Sequence, residues 1–157
     1  MKINIGIGEK QREGIAKILN ALLADEFLLY VKTRRFHWNV VGPHFSELHK
    51  FFEAQYEALD EIVDEVAERA RAVDTVAAGS MHEFLRLTRL KENAEQKNPD
   101  ANGMLAALLD DHEALVRNLR EDLATAAELG DAGTNDFLTG LMEQHEKTAW
   151  MLRSYLR

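Results

Sequence analysis

Residues 36–69 read FHWNVVGPHFSELHKFFEAQYEALDEIVDEVAER and contain the end of one helical pattern and most of the next. Gly42 and Pro43 interrupt the helical spacing of apolar residues between them. Proline suits the first turn of a new helix, because its φ is already helical and its missing N–H is not needed there. We therefore predict one helix over residues 10–38 and a second over residues 44–73, joined by a short turn.

The remainder of the chain continues the helical pattern. Ser80 followed by Glu83 predicts a capping box at the start of a short helix, MHEFLRL. Leucine-rich stripes predict a third long helix after Pro99 and a fourth that Thr134 or Asp136 would cap. No segment has the alternating pattern of a strand. The predicted fold is all-α, a ferritin-like four-helix bundle with a short helix in the long connection between helices two and three.

Composition and charge narrow the class of protein. The 157 residues are 46% hydrophobic, which predicts a single domain over residues 1–157. Cysteine is absent, which excludes disulfides and thiolate metal sites. No signal peptide and no apolar run of about 20 residues stands out, so we expect a cytoplasmic protein with no membrane partner. The formal net charge of −8 is compatible with binding metal cations and argues weakly against DNA.

The second helix carries acidic and imidazole side chains along one face. Charged stripes are usually solvated, but Phe45, Phe52 and Tyr56 flank this one and indicate that part of it is covered. Oxygen ligands combined with imidazole suit Fe(II), Mn(II) or Zn(II). At spacings of three and four residues, the face comprises His49, Glu53, Glu57, Asp60, Asp64 and Glu68.

One helix cannot gather these ligands around one ion. His49 and Asp64 are about 22 Å apart along a helix axis, at a rise of about 1.5 Å per residue. Two copies packed antiparallel across a twofold axis would bring His49 and Glu53 of one chain opposite Asp64 and Glu68 of the other. The Glu-x-x-His pair that builds a di-iron site inside one ferritin-like bundle is absent. The sequence therefore predicts paired sites at a subunit interface.

Residues 36–69 closely resemble the signature of the Dps proteins, or mini-ferritins. The helix order, the short middle helix and the Glu-Phe pair that follows Gly-Ser by two residues extend the resemblance to nearly the whole chain. The resemblance implies a ferroxidase that assembles into a dodecameric shell. Such a protein oxidises Fe(II), preferably with hydrogen peroxide, stores the ferric product and protects against oxidative stress.

The resemblance also implies a set of ligands for two irons. His37, His49 and Glu53 would come from one subunit, and Asp64 and Glu68 from its neighbour. Many relatives have aspartate where this chain has Glu53, and the extra methylene changes the reach of that ligand. Carboxylates hold Fe(II) and stabilise Fe(III), and neutral imidazoles add affinity without adding charge.

Other aromatic and imidazole side chains have either a functional or a structural interpretation. Trp38 resembles the tryptophan beside the family's iron site, which intercepts stray oxidants, and interface packing would explain it equally well. Some relatives recruit a further histidine near the start of the middle helix, so His82 is an additional candidate ligand that would give zinc a place in the site. His44 is expected at the surface. His112 and His145 lie on apolar stripes and are expected in the core or at an interface, with a hydrogen-bond partner.

The turn before the fourth long helix is acidic. Its carboxylates match the region that lines threefold pores in the family, where negative potential would draw Fe(II) inward. Turn and capping roles are the alternative for the two aspartates. The pore candidates are Glu128, Asp131 and Asp136.

DNA compaction is the main alternative function of the same fold, and it would place the protein at the nucleoid. Relatives that bind DNA commonly use a lysine-rich tail. The predicted N-terminal segment carries only Lys2 and Lys10, and the chain ends RSYLR after the fourth long helix. These charges are too few for a polyelectrolyte arm, so we expect weak DNA binding or none. A metal-free bundle that serves only for assembly is the remaining alternative.

Overall fold

The computed structural model describes residues 3–92 and 97–157. Within these ranges the chain forms five helices and no strand, which confirms the all-α prediction. Helices α1 and α2 form one antiparallel pair and α4 and α5 form the other, with the short α3 against α1. The helices are α1 (Glu9–Asn39), α2 (Phe45–Ala72), α3 (Met81–Leu87), α4 (Ala101–Glu128) and α5 (Ala132–Tyr155).

One apolar core runs the length of the bundle between these two pairs. Its members recur at three- and four-residue spacings, which place them on one face of each helix. Burial of each such side chain stabilises the fold by about 1.5–3 kcal/mol relative to exposure. The largest fully buried side chains include Ile15, Leu19, Leu22, Leu29, Phe52, Leu108, Leu115, Leu119, Leu138 and Leu141.

The turn between α1 and α2 follows the Gly-Pro break closely. Helix α1 ends at Asn39 and α2 begins at Phe45, within two residues of the predicted bounds. Gly42 has a φ of 123°, a conformation that side chains disfavour, so glycine allows the chain to reverse within this short segment. His44 is the exposed N-cap residue of α2, as expected for a surface histidine.

The caps of α3 and α5 test the sequence signals at single residues. The capping box of α3 is confirmed, because the Ser80 side chain accepts from the Glu83 N–H while the Glu83 carboxylate accepts from the Ser80 N–H. The prediction that Thr134 or Asp136 caps α5 is wrong, whereas the capping role given as the alternative for Asp131 is confirmed. Asp131 is the N-cap and its carboxylate accepts from the Thr134 N–H at 3.0 Å, whereas Asp136 lies inside the helix.

An ion-pair cluster, the Arg89 clamp, joins the connection after α3 to two buried carboxylates. The Arg89 guanidinium donates to Asp25 of α1 at 2.8 Å and to Asp122 of α4 at 2.9 Å. Asp25 is fully buried, and it also accepts from the Arg89 backbone N–H. The clamp therefore joins the two helix pairs through the crossover segment. None of the described helices is long and apolar enough to cross a membrane.

Candidate metal half-site

Two histidines from α1 and α2 meet beside the turn that joins these helices. His37 Nδ1 donates to the backbone carbonyl of His49 at 2.8 Å, and His49 Nδ1 donates to the backbone carbonyl of His37 at 2.9 Å. The two rings stack with their centroids 3.7 Å apart. His37 lies in the last turn of α1 and His49 in the second turn of α2, so the turn at Gly42 places them face to face.

These hydrogen bonds fix the proton positions on both rings. A carbonyl oxygen only accepts, so each Nδ1 must carry the proton. In a neutral imidazole the other nitrogen, Nε2, then holds a free lone pair. Across residues 3–92 and 97–157, no hydrogen bond occupies Nε2 of His37 or of His49. Bonding of one ring nitrogen to a backbone carbonyl is the usual support of a histidine that binds metal through the other.

Two aromatic side chains pack against the stacked pair. The Tyr56 and His37 rings meet edge to face with centroids 5.2 Å apart, and the Phe45 ring stacks on His49 with centroids 5.1 Å apart. The Arg34 guanidinium lies 4.3 Å from the centre of the Tyr56 ring. Burial raises the pKa of Tyr56 and the charge of Glu53 raises it further, so this ring stays neutral at physiological pH.

The predicted carboxylates follow along α2 without converging on the histidines of the same chain. Glu53, one turn after His49, is partly buried, whereas Asp64 and Glu68 are exposed. Glu53 and Asp64 are about 16 Å apart along the helix axis. In the described part of one chain, no group of three or more metal-binding side chains is close enough to hold an ion. The structure thus brings His37 and His49 together, and we call these two residues with Glu53 the half-site; their binding of metal stays a prediction.

Comparisons with known proteins agree with the fold. The family described as ferritin-like domain matches residues 16–157. The chain superposes on the crystal structure of a Dps protein from Vibrio cholerae with a TM-score of 0.92 and 33% sequence identity. The match covers 100% of this chain and 98% of that one. The Vibrio protein is described as a member of a broad superfamily of ferritin-like diiron-carboxylate proteins. The chain belongs to the ferritin-like family, as a Dps protein.

Sequence relatives of this Dps protein support the same assignment. The DNA protection during starvation protein 2 of Bacillus anthracis is 35% identical over 90% of this chain and 96% of its own length. An uncharacterized low temperature-induced protein of Nostoc is 51% identical over 99% of this chain and 87% of its own length. The resemblance predicted from residues 36–69 is therefore confirmed.

Two further candidates lie outside the half-site on this chain. Trp38 is 66% exposed and its ring lies 5.6 Å from the Arg34 guanidinium. His82, in the first turn of α3, is exposed, and no described contact joins it to His37 or His49. Roles for Trp38 beside the metal and for His82 as a ligand stay predictions.

The three pore candidates differ in their surroundings. Asp131 is buried and pairs with the Arg69 guanidinium at 3.0 Å. Burial works to raise the pKa of Asp131, but hydrogen bonds from Thr134 and the charge of Arg69 outweigh it and lower the pKa. Glu128 and Asp136 are exposed. Pore lining stays a prediction for all three, with Asp131 already engaged as a cap and an ion-pair partner.

A second polar cluster lies inside the bundle, where the sequence predicts only core histidines. His112 and His145 are buried and their Nδ1 atoms are 2.9 Å apart, which confirms core positions with a hydrogen-bond partner. His145 Nε2 is 2.9 Å from the carboxylate of Glu26, which is fully buried. Buried Gln55 faces the same region from α2. Glu26 and Gln55 interrupt apolar stripes, and that interruption is the sequence signal by which these two buried residues can be found.

Proposed function

We propose that this Dps protein is a ferroxidase that oxidises Fe(II) with hydrogen peroxide at twofold subunit interfaces. Its subunits would form a dodecameric shell that stores the ferric product. Iron is the substrate and, once oxidised, the cargo. Removal of Fe(II) together with peroxide would protect the cell from the radicals that the two generate in combination.

The observation that carries the proposal is the reciprocal bonding of His37 and His49. Two backbone carbonyls hold both rings in the tautomer whose Nε2 lone pair is free. Stacked rings 3.7 Å apart present two imidazole donors from one small area. Two imidazoles and the Glu53 carboxylate form a donor set that suits Fe(II).

The remaining ligands would come from a second subunit. Asp64 and Glu68 are exposed on α2 and have no partner charge among the described residues. An antiparallel α2–α2 contact across a twofold axis would place these carboxylates opposite the half-site of the partner. Their negative charge stabilises Fe(III) more than Fe(II), so the completed site favours oxidation. Two irons side by side supply both electrons that one peroxide accepts.

Anaerobic loading of Fe(II) followed by addition of peroxide tests the proposal. Wild type should oxidise iron rapidly, and His37→Ala and Asp64→Ala should each slow the oxidation by at least about tenfold, because each removes one ligand. His44→Ala is the matched control, since His44 is exposed and outside the half-site. Fast oxidation that persists in both ligand variants would contradict the proposed site.

Subunit mixing tests whether two chains share each site. His49→Ala and Asp64→Ala subunits should each be inactive alone. After random mixing about half of the twofold interfaces pair one variant with the other, and each mixed interface has one intact site, so about a quarter of the activity should return. Absence of recovery, with mixing shown by native mass spectrometry, would contradict ligation by two chains.

DNA binding is the second candidate function, because two relatives are named DNA protection during starvation proteins. The net charge of −8 opposes it, since neutralisation of phosphates supplies most of the affinity for DNA. A gel-shift titration at low salt separates the two candidates. Tight DNA binding together with negligible iron oxidation would favour DNA compaction over the ferroxidase.

A further inference from the structure

The polar cluster in the bundle core takes one residue from each long helix. Glu26 comes from α1, Gln55 from α2, His112 from α4 and His145 from α5. All four are less than 8% exposed, and Glu26 is fully buried. Such groups cost stability unless each polar atom has a partner. The cluster therefore lowers the stability of the fold wherever one of its polar atoms lacks a partner.

Hydrogen bonds order three of these residues into a chain, the core relay, consisting of Glu26, His145 and His112. The Glu26 carboxylate accepts from His145 Nε2–H at 2.9 Å, which leaves a lone pair on His145 Nδ1. That lone pair accepts from His112 Nδ1–H at 2.9 Å. Burial, with the neighbouring His145, lowers the pKa of His112 well below its ordinary value, so the ring is neutral.

The core relay ends at an unused acceptor. With its proton on Nδ1, His112 holds a lone pair on Nε2, and that atom is buried with no hydrogen-bond partner in the described residues. Both amide atoms of Gln55 are buried and unpartnered in the same sense. An imidazole acceptor and an amide that can donate are complementary to one hydroxyl group, which donates one hydrogen bond and accepts another.

A cavity of about 350 Å³ opens between α2 and α5, beside these two residues. His112 and Gln55 line it together with apolar side chains that include Phe51, Leu59 and Ile62. A cavity of about 150 Å³ already holds one benzene ring in another protein. This mixture of an apolar wall and a few polar groups is typical of sites for small organic molecules.

We propose that this cavity binds a small neutral aromatic alcohol of the phenol class. The ring would lie against the apolar wall, and the hydroxyl would donate to His112 Nε2 and accept from the Gln55 amide. Carboxylic acids in their ionised form lack the donor that His112 requires, and ammonium compounds would enter a largely apolar cavity as a bare charge. The inference is independent of iron oxidation at the half-site.

Calorimetric titration of the assembled wild-type protein with phenol and with anisole tests the proposal. Anisole has the same ring but its methylated oxygen cannot donate. We expect saturable binding of one phenol per chain, at least about tenfold tighter than anisole, which is the size of effect one buried hydrogen bond gives. Equal binding of the two compounds, or no saturable binding of either, would overturn the proposal. Ordered water would then be the partner of His112 Nε2 and the Gln55 amide.

Variants locate the binding within the protein. His112→Phe preserves the ring shape but removes the acceptor, so phenol should fall to the affinity of anisole. His44→Phe makes the same change at an exposed histidine and should leave both affinities unchanged. An unaltered preference for phenol in folded His112→Phe would overturn the assignment. If that variant does not fold, the comparison of phenol with anisole on wild type still decides the outcome.

Discussion

The molecule contains two histidine pairs that use their ring nitrogens in opposite ways. In the half-site, His37 and His49 each donate from Nδ1 to a backbone carbonyl and leave Nε2 free. In the core relay, the Nδ1 atoms of His112 and His145 bond to each other, and the second nitrogen of His145 donates to the Glu26 carboxylate. The first pair keeps two lone pairs and the second keeps one. The partner of one ring nitrogen thus decides what the other can bind.

The same substitution in each pair should separate their roles most strongly. His37→Gln should slow peroxide-driven iron oxidation by at least about tenfold, because glutamine cannot supply the imidazole donor held by the His49 carbonyl. His112→Gln should leave the rate within about twofold of wild type, since the core relay is no part of the half-site. Stopped-flow absorbance of ferric product measures both. An equal loss of oxidation rate in the two variants would contradict the assignment of different roles to the two histidine pairs.

The core relay should matter chiefly for stability. His145→Leu leaves the Glu26 carboxylate buried without its partner, so it should lower the free energy of unfolding by about 3 kcal/mol per chain. The double variant Glu26→Leu/His145→Leu removes the charge as well and should regain most of that loss. Urea midpoints at fixed protein concentration measure both. A double variant as unstable as the single one would show that the unpartnered carboxylate is not the cause.

Acid should weaken the core pair through His112. The pKa of His112 is well below its ordinary value of 6.5 in the folded chain. Below pH 6.5 the unfolded chain therefore binds a proton at this histidine, whereas the folded chain does not. Stability is retained above that pH and falls by about 1.4 kcal/mol per pH unit below it, until the folded-state pKa is reached. Urea midpoints between pH 7.5 and pH 5 should fall more steeply for wild type than for His112→Phe. Parallel curves would exclude this origin.

Tyr56 provides the smallest and most local test. Its ring packs edge to face with the His37 ring, so Tyr56→Phe, which keeps the ring, should leave iron oxidation unchanged. Tyr56→Leu should slow oxidation by about threefold, because the imidazole loses a wall that holds its orientation. The rate of ferric product formation measures both. A slower rate in Tyr56→Phe would instead assign a role to the hydroxyl group.

The sequence predicted the fold better than it predicted these partners. Local signals act over a few residues, so the Ser80–Glu83 capping box and the bounds of α2 could be found without a structure. Thr134 was wrongly predicted to cap α5 because threonine is itself a good capping residue; in the structure its N–H donates to the cap, Asp131. Which of several nearby polar residues begins a helix depends on the turn before it, and here Gly130 sets that turn with a φ of 74°.

The half-site and the core relay differ in how far the sequence reveals them. His37 and His49 lie twelve residues apart across one turn, and their pattern matches the family, so their meeting was predictable. Glu26 is 119 residues from His145, and only the packing of α1 beside the α4–α5 pair brings them together. The visible signal was polar residues within apolar stripes, at Glu26 and Gln55. That signal predicts burial but not the partner.

The reciprocal bonds of His37 and His49 also bear on how freely the sequence can drift. Both acceptors are backbone carbonyls, which every amino acid supplies, so substitutions beside the two rings can accumulate without releasing them. The core relay has no such tolerance, because each of its links is a side chain that only a few residue types can replace. During evolution the half-site should persist when neighbouring residues change, whereas the three residues of the core relay should be kept together or replaced together.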